Sequence, residues 1–194
     1  MPDQLSVLVV ESDRERALQI VDGLGGSDRF VVSVISESSG LARHVAERNP
    51  DVVLIDIESP SRDILEELAT ASSPLERPVA MFVDRSDDGL TQAAVEAGVS
   101  AYVVDGLHAH RIRPVLDAAI SRFSVFKRMR AELETTKRAL EERKVIDRAK
   151  GILMKSKGMS EEEAYAMLRK TAMDRGRRVS DVAEALVTAA GLLS

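Results

Sequence analysis

The sequence predicts an α/β domain, (βα)5 on a doubly wound parallel sheet, followed by a long helix and an all-α module of three helices. Over the first 105 residues, short apolar runs alternate with amphipathic segments in the order that a parallel sheet with crossover helices requires. From about His108 the pattern turns helical and stays so, with no Gly or Pro between Pro114 and Gly151. The charge also divides: residues 1–126 carry 11 Arg, no Lys and 21 acidic residues, a net −10, whereas residues 127–194 carry 16 basic and 11 acidic residues, a net +5.

Strands are predicted at Leu5–Val10, Phe30–Ile35, Val52–Asp56, Val79–Val83 and Ala101–Val104. Their nearly continuous Val, Leu and Ile content fits burial on both faces. Between them, Arg14–Leu24, Gly40–Arg48, Arg62–Ala71 and Gly89–Ala97 place apolar residues three and four apart, as helices packed on a sheet do. Farther on, Ile112, Val115, Ala119, Phe126, Met129, Leu133, Thr136 and Leu140 follow a 3-4-3-4 register, with Arg122 inside it. This reads as one long helix with a coiled-coil dimer seam at Phe126, Met129, Leu133 and Leu140; a helix packed on its own domain is the alternative. Gly158 stops that helix, Ser160 with Glu163 forms a capping box for the next, Gly176 ends it, and Ser180 caps the last. The expected bundle core is Leu153, Met154, Ala164, Met167, Leu168, Ala172, Val182, Ala183, Leu186 and Val187. The predicted domains are residues 1–122, a linker helix at 123–133, and a terminal module at 134–194.

A hydrophobic content of 44% with 30% charged residues is globular composition. Without cysteine there is no disulfide framework and no thiolate chemistry. No apolar run approaches membrane-spanning length, and "MPDQLSVLVVESD" has no basic region ahead of its apolar stretch, so a cytoplasmic protein is expected. No catalytic grouping stands out: His44, His108 and His110 are scattered and no Gly-rich phosphate loop follows a strand, which points away from an enzyme. The basic C-terminal part points to an anionic partner, nucleic acid first, with a solvated helical surface as the alternative.

Glu11 and Asp56 end the first and third strands, at the sheet edge where doubly wound folds bind ligands. Together with "LIDIESP" and "EAGVSAYVV", this order resembles the receiver domain of two-component response regulators over residues 4–122. The resemblance implies an acidic pair for Mg2+ at Glu11 and Ser12, a phospho-acceptor at Asp56, a hydroxyl at Val83 and a lysine at Asp105. Three of these positions depart. Ser12 removes a carboxylate from a hard-ion site, although Asp13 could partly substitute. Val83 offers no hydroxyl, and Asp105 would repel a phosphoryl group. The domain is therefore read as a pseudo-receiver, a platform for protein binding or dimerisation, with Asp56 as the phospho-acceptor candidate and a weak Mg2+ site at Glu11 and Asp56 as its one possible cofactor.

The stretch "ALEERKVIDRAKGILMKSKGMSEEEAYAMLRKTAMDRGRRVSDVAEAL" resembles the ANTAR domain family over about residues 130–190, on Ala149-Lys150-Gly151-Ile152-Leu153-Met154, Glu163-Ala164-Tyr165, Leu168-Arg169, Ala172 and Val182-Ala183. The resemblance implies a transcription antiterminator whose dimer binds paired hairpins in leader mRNA, one per module, and keeps a terminator from forming. Within the family the chain looks most like the nitrate and nitrite assimilation branch, which implies control by a separate nitrate-sensor protein of the NasS type. Residue chemistry supports a binding surface. A mid-helix glycine costs about 1 kcal/mol relative to alanine, so Gly151 suggests a close visitor, either RNA or another helix. Arg143, Lys144, Arg148, Lys150 and Lys155, then Arg169, Lys170, Arg177 and Arg178, are the RNA-binding candidates. Lys157 and Arg175 are partly explained as helix-terminal charges. Ala149 and Gly151 are read as small for packing, with Lys150 facing RNA. Tyr165, the only aromatic residue after Phe126, is the one candidate for base stacking but is read first as a core residue. The competing functions are a DNA-binding response regulator activated by phosphorylation at Asp56, and a protein-interaction module.

Overall fold

The computed structural model describes residues 4–26, 28–36, 40–58 and 60–192, with Asp88 described by its backbone alone. Ser59, within the receiver-like stretch around Asp56, and the extreme termini lie outside the described residues. The elements are β1 (Leu5–Val10), α1 (Arg14–Gly25), β2 (Phe30–Ile35), α2 (Leu41–Arg48), β3 (Val52–Ile57), α3 (Arg62–Ser72), β4 (Val79–Val83), α4 (Asp88–Glu96), β5 (Ala101–Val104), α5 (Ala109–Lys157), α6 (Glu161–Asp174) and α7 (Val179–Leu192). Chain contacts divide into two compact units, Met1–Arg128 and Met129–Ser194, with α5 contributing to both.

In the first unit the five strands pair parallel in the order β2-β1-β3-β4-β5, the doubly wound arrangement that the alternation predicts. Side chains alternate across the sheet with period two. Val7, Val9, Val52, Leu54, Ala80 and Phe82 face one side with Ile20 and Leu24 of α1 and Ile112, Leu116 and Ala119 of α5. Leu8, Val10, Val53, Ile55, Val79 and Met81 face the other with Leu41 and Val45 of α2, Leu65 and Leu68 of α3, and Ala94 of α4. Both faces are covered, which is why the strands lack polar alternation. Asp13, Ser61 and Asp87 cap α1, α3 and α4 by accepting backbone N–H bonds from Arg16, Ile64 and Leu90.

The 3-4 register on α5 therefore serves two purposes. Ile112 and Ala119, expected on the same stripe as the seam, are buried against the sheet. The later large apolar members, Phe126, Met129, Leu133 and Leu140, are exposed.

In the second unit Ala149 and Leu153 of α5, Ala164 and Leu168 of α6 and Ala183 of α7 form the core, ringed by Val145, Ile146, Met159, Val179, Val182, Leu186 and Val187. Met154 and Met167, expected in this core, are exposed instead. The module is too small to bury every apolar residue on its helices, and the Ala164–Leu168–Ala172 stripe allows α6 a closer approach. The capping box forms as predicted: Glu163 N–H donates to Ser160 Oγ at 3.2 Å and Ser160 N–H donates to Glu163 Oε2 at 2.8 Å. These bonds hold the Glu163 carboxyl below its ordinary range. Gly158 (φ 66°) and Gly176 (φ 60°) take the left-handed conformation that ends α5 and α6. No described helix is long and apolar enough to cross a membrane.

Candidate functional site

The sheet's carboxyl edge collects three acidic side chains from three strand ends, and a guanidinium fills the space among them. Arg16 is placed in the first turn of α1, where Asp13 caps the helix by accepting its backbone N–H at 2.8 Å. Its Nε and one terminal nitrogen donate to the two Asp56 oxygens at 2.9 and 2.7 Å. The terminal nitrogens also donate to both Asp84 oxygens, at 3.0 and 3.1 Å. Glu11 Oε2 lies 3.5 Å from Arg16 Nε. Two bidentate carboxylates on one guanidinium are the strong form of this interaction, and both raise the Arg16 pKa, the Asp84 bonds most.

Glu11 and Asp56 are each 5% exposed. Glu11 Oε1 accepts the Asp13 N–H at 2.7 Å, whereas Oε2 is buried without a hydrogen bond. Burial first, then the neighbouring Asp56 carboxylate, pushes the Glu11 carboxyl up to about 7. A proton on Oε2 relieves both problems: it removes a buried charge and gives the orphaned oxygen a donor role toward Asp56.

The structure thus brings Glu11 and Asp56 together, and adds Arg16 and Asp84, which sequence reasoning missed. Asp84 could have been found, since it follows β4 at the same edge that singled out Glu11 and Asp56. Asp13, weighed as a substitute metal ligand, is committed as the α1 cap. Val83 is buried and Asp105 is exposed in a left-handed turn (φ 86°). Gly106 beside it takes φ 74°, a conformation that favours glycine, and a Cβ there would lie 2.8 Å from Asp84 Oδ1. Among the described residues no group of three or more His, Cys, Asp or Glu is arranged to hold a metal ion.

In the second unit the predicted cations fall into two sets. Lys150 donates to Glu161 at 2.6 Å and lies 2.6 Å from Asp147, with its side chain only 15% exposed. Bonds to Asp147 and then Glu161 raise its pKa. Lys150 ties the end of α5 to the start of α6 across the Gly158 turn. Lys144 pairs with Glu141 at 2.7 Å, Arg178 lies 3.7 Å from Glu142, and Lys157 donates to Met167 Sδ at 3.8 Å. Arg143 adds a favourable field at Asp147. Exposed Arg143, Arg148, Lys155, Arg169, Lys170 and Arg177 make no ion pair among the described residues.

The neighbouring motif positions also separate. Ala149 is fully buried, as a packing residue should be, but a Cβ on Gly151 would meet nothing within 4 Å. Among the described residues nothing approaches a Cβ at Gly151, so packing among them is not what requires glycine. Tyr165 is 44% exposed, which overturns its core reading: α6 turns the Ala164–Leu168–Ala172 stripe inward and leaves Tyr165 outside.

Two open clefts meet along α6. One, about 570 Å3, is lined by Glu142, Ile146, Arg169, Ala172, Met173, Arg177, Arg178, Val179 and Ser180. The other, about 360 Å3, is lined by Glu162, Tyr165, Ala166, Arg169, Lys170, Met173 and Asp174. Arg169 and Met173 belong to both.

Comparison with known proteins agrees with each unit. Over 185 residues the chain is 27% identical to the transcriptional regulatory protein PdtaR of Mycobacterium tuberculosis, spanning 95% of this chain and 90% of that one. Over 66 residues it is 46% identical to the nitrate regulatory protein of Klebsiella oxytoca, spanning 34% of this chain and 17% of that one. The fold of the first unit is similar to the signal receiver domain of a modulated diguanylate cyclase from Desulfovibrio desulfuricans G20, with a TM-score of 0.51, 21% identity, and coverage of 63% of this chain and 98% of that one. Residues 134–187 match the ANTAR domain family, so the chain carries an ANTAR domain behind a receiver-like five-stranded α/β domain.

Proposed function

We propose that the chain is a transcription-antitermination regulator, a non-enzyme whose ANTAR domain binds paired hairpins in a leader mRNA and so keeps a terminator stem from forming. The observation that carries this reading is the group of exposed cations without ion partners among the described residues of the ANTAR domain, with Arg148, Lys155, Arg169, Lys170 and Arg177 among them. Exposed and outside any ion pair, these cations are available to phosphates. Homologous relatives named as transcriptional, nitrate and amidase regulators support the class. The 46% identity over 66 residues to a nitrate regulatory protein supports nitrate or nitrite assimilation as the regulated process; a nitrate-sensor protein of the NasS type is the partner this reading proposes. Residues 123–133 act as the linker, and Phe126, Met129, Leu133 and Leu140 as a homodimer seam: four large apolar side chains exposed on one helix are stabilised by pairing.

The receiver-like domain serves on this reading as a protein-binding platform. Its acidic donors do not fit a Mg2+ ion, because the Asp56 and Asp84 oxygens that would ligate it accept from Arg16. The same guanidinium donates to both Asp56 oxygens, which supports a pseudo-receiver over a working phospho-acceptor.

Gel shifts with a two-hairpin leader RNA, a loop-scrambled control and duplex DNA at matched salt test the function. The hairpin RNA should bind in preference to both controls; loop-independent or DNA-preferring binding would refute it. Incubation with acetyl phosphate and Mg2+ followed by intact mass tests the pocket, and a stoichiometric mass gain lost in Asp56→Asn would restore a working phospho-acceptor.

A further inference from the structure

We propose that the outer face of α6 is a seat for unpaired nucleobases of an RNA loop, with Tyr165 as the stacking platform and Met173 as the floor of the adjoining cleft. This deepens the RNA-binding reading and rests on it. Tyr165, Arg169 and Met173 recur every four residues, so they lie along one side of the helix within about 80° of arc. Tyr165 is 44% exposed and Met173 72% exposed. The cleft beyond Met173 has an apolar bed of Ile146, Ala172 and Val179, contributed by all three helices of the module. A flat aromatic face beside an apolar slot suits the two faces of a nucleobase, and stacking is open to bases that a hairpin loop leaves unpaired.

Charge selects RNA over a protein partner. Arg169 stands between the two clefts, with Lys170 and Arg177 at their margins, and none of the three has an ion pair among the described residues. The acids at the same margins are Glu162, Asp174 and Glu142, and Glu142 is already engaged by Arg178 at 3.7 Å. Phosphates on either side of a splayed base would meet Arg169 and Arg177. The seat lies on α6, away in sequence from the Ala149-Lys150-Gly151 motif, whose lysine is occupied within the module.

The test uses the full chain and a hairpin RNA selected on the wild-type protein from a library with randomised loops, together with its loopless stem duplex. Loop positions are replaced one at a time by 2-aminopurine, whose fluorescence falls on stacking. Tyr165→Leu keeps apolar bulk without the ring and is expected to weaken hairpin binding about tenfold and abolish quenching at one loop position. Tyr165→Phe should restore both, and neither should change binding of the stem duplex. Met173→Gln is expected to weaken the hairpin and spare the duplex. Hairpin affinity and quenching unchanged in Tyr165→Leu would overturn the seat while leaving RNA binding intact. Variants that keep hairpin affinity but dissociate the dimer in sedimentation would overturn it in favour of a protein interface. A wild-type protein that enriches no hairpin would overturn both the seat and the RNA-binding function beneath it.

Discussion

Arg16→Ala is the most informative perturbation of the receiver-like unit. It deletes four charge-assisted hydrogen bonds and leaves the Asp56 side chain, fully buried, beside Glu11 with no cation. Removing one partner from a buried ion pair costs about 3–5 kcal/mol, because the remaining charge is stranded out of water. Arg16 and Asp84 are 27% and 32% exposed, so water can enter the vacated space and the loss should sit lower, at about 2–3 kcal/mol. For a domain of this size that lowers the melting temperature by about 8–11 °C. Differential scanning calorimetry of the full chain reads this as a shift of one transition. Arg16→Ala combined with Asp56→Asn should recover part of the loss, since the stranded charge is gone. A single variant melting within about 2 °C of wild type, or a double variant no better than the single, would refute a guanidinium clamp.

Three further outcomes are expected. Glu11 titrates at about 7 in the folded chain against its ordinary 4.5, so the folded state holds the extra proton; stability is fully present below pH 4.5 and falls as pH rises toward 7. Between pH 5 and pH 8 the first unit should lose about 2 kcal/mol in thermal or urea melts, and Glu11→Gln should flatten that slope. Gly151→Ala should stabilise the isolated protein by about 0.5–1 kcal/mol, because nothing among the described residues meets the new Cβ, yet weaken RNA or dimer affinity if a partner's close approach is what requires glycine; a variant neutral in both would leave Gly151 without a role. Lys150→Met should lower the melting temperature of the ANTAR domain while hairpin affinity in a gel shift stays within about twofold, whereas a large affinity loss at unchanged stability would return Lys150 to the RNA contacts.

Legibility in the sequence followed the range of the interactions involved. Four of the five strands, Leu5–Val10, Phe30–Ile35, Val79–Val83 and Ala101–Val104, match the predicted bounds, and the third is one residue longer at Ile57. Periodicity, caps and turn glycines act within a few residues, so they can be read along the chain. The Ser160–Glu163 capping box is of this kind. Gly151 shows where such reading stops: its helix position was evident, but whether its visitor was internal required knowing every neighbour in space.

What the sequence by itself determined is the order of elements, the doubly wound sheet, the basic helical module and the meeting of Glu11 with Asp56 at one edge. Only the tertiary structure decided which cation fills that edge and which face of α6 is left open. Arg16 reaches Asp56 across 40 residues and Asp84 across 68, and nothing local distinguishes it from the other ten arginines of residues 1–126. Likewise α6 carries apolar residues at 164, 165, 166, 167, 168, 172 and 173, more than one stripe can hold, so the choice fell to packing. The small Ala164–Leu168–Ala172 stripe allows the closest helix approach, and that places Tyr165 and Met173 in solvent.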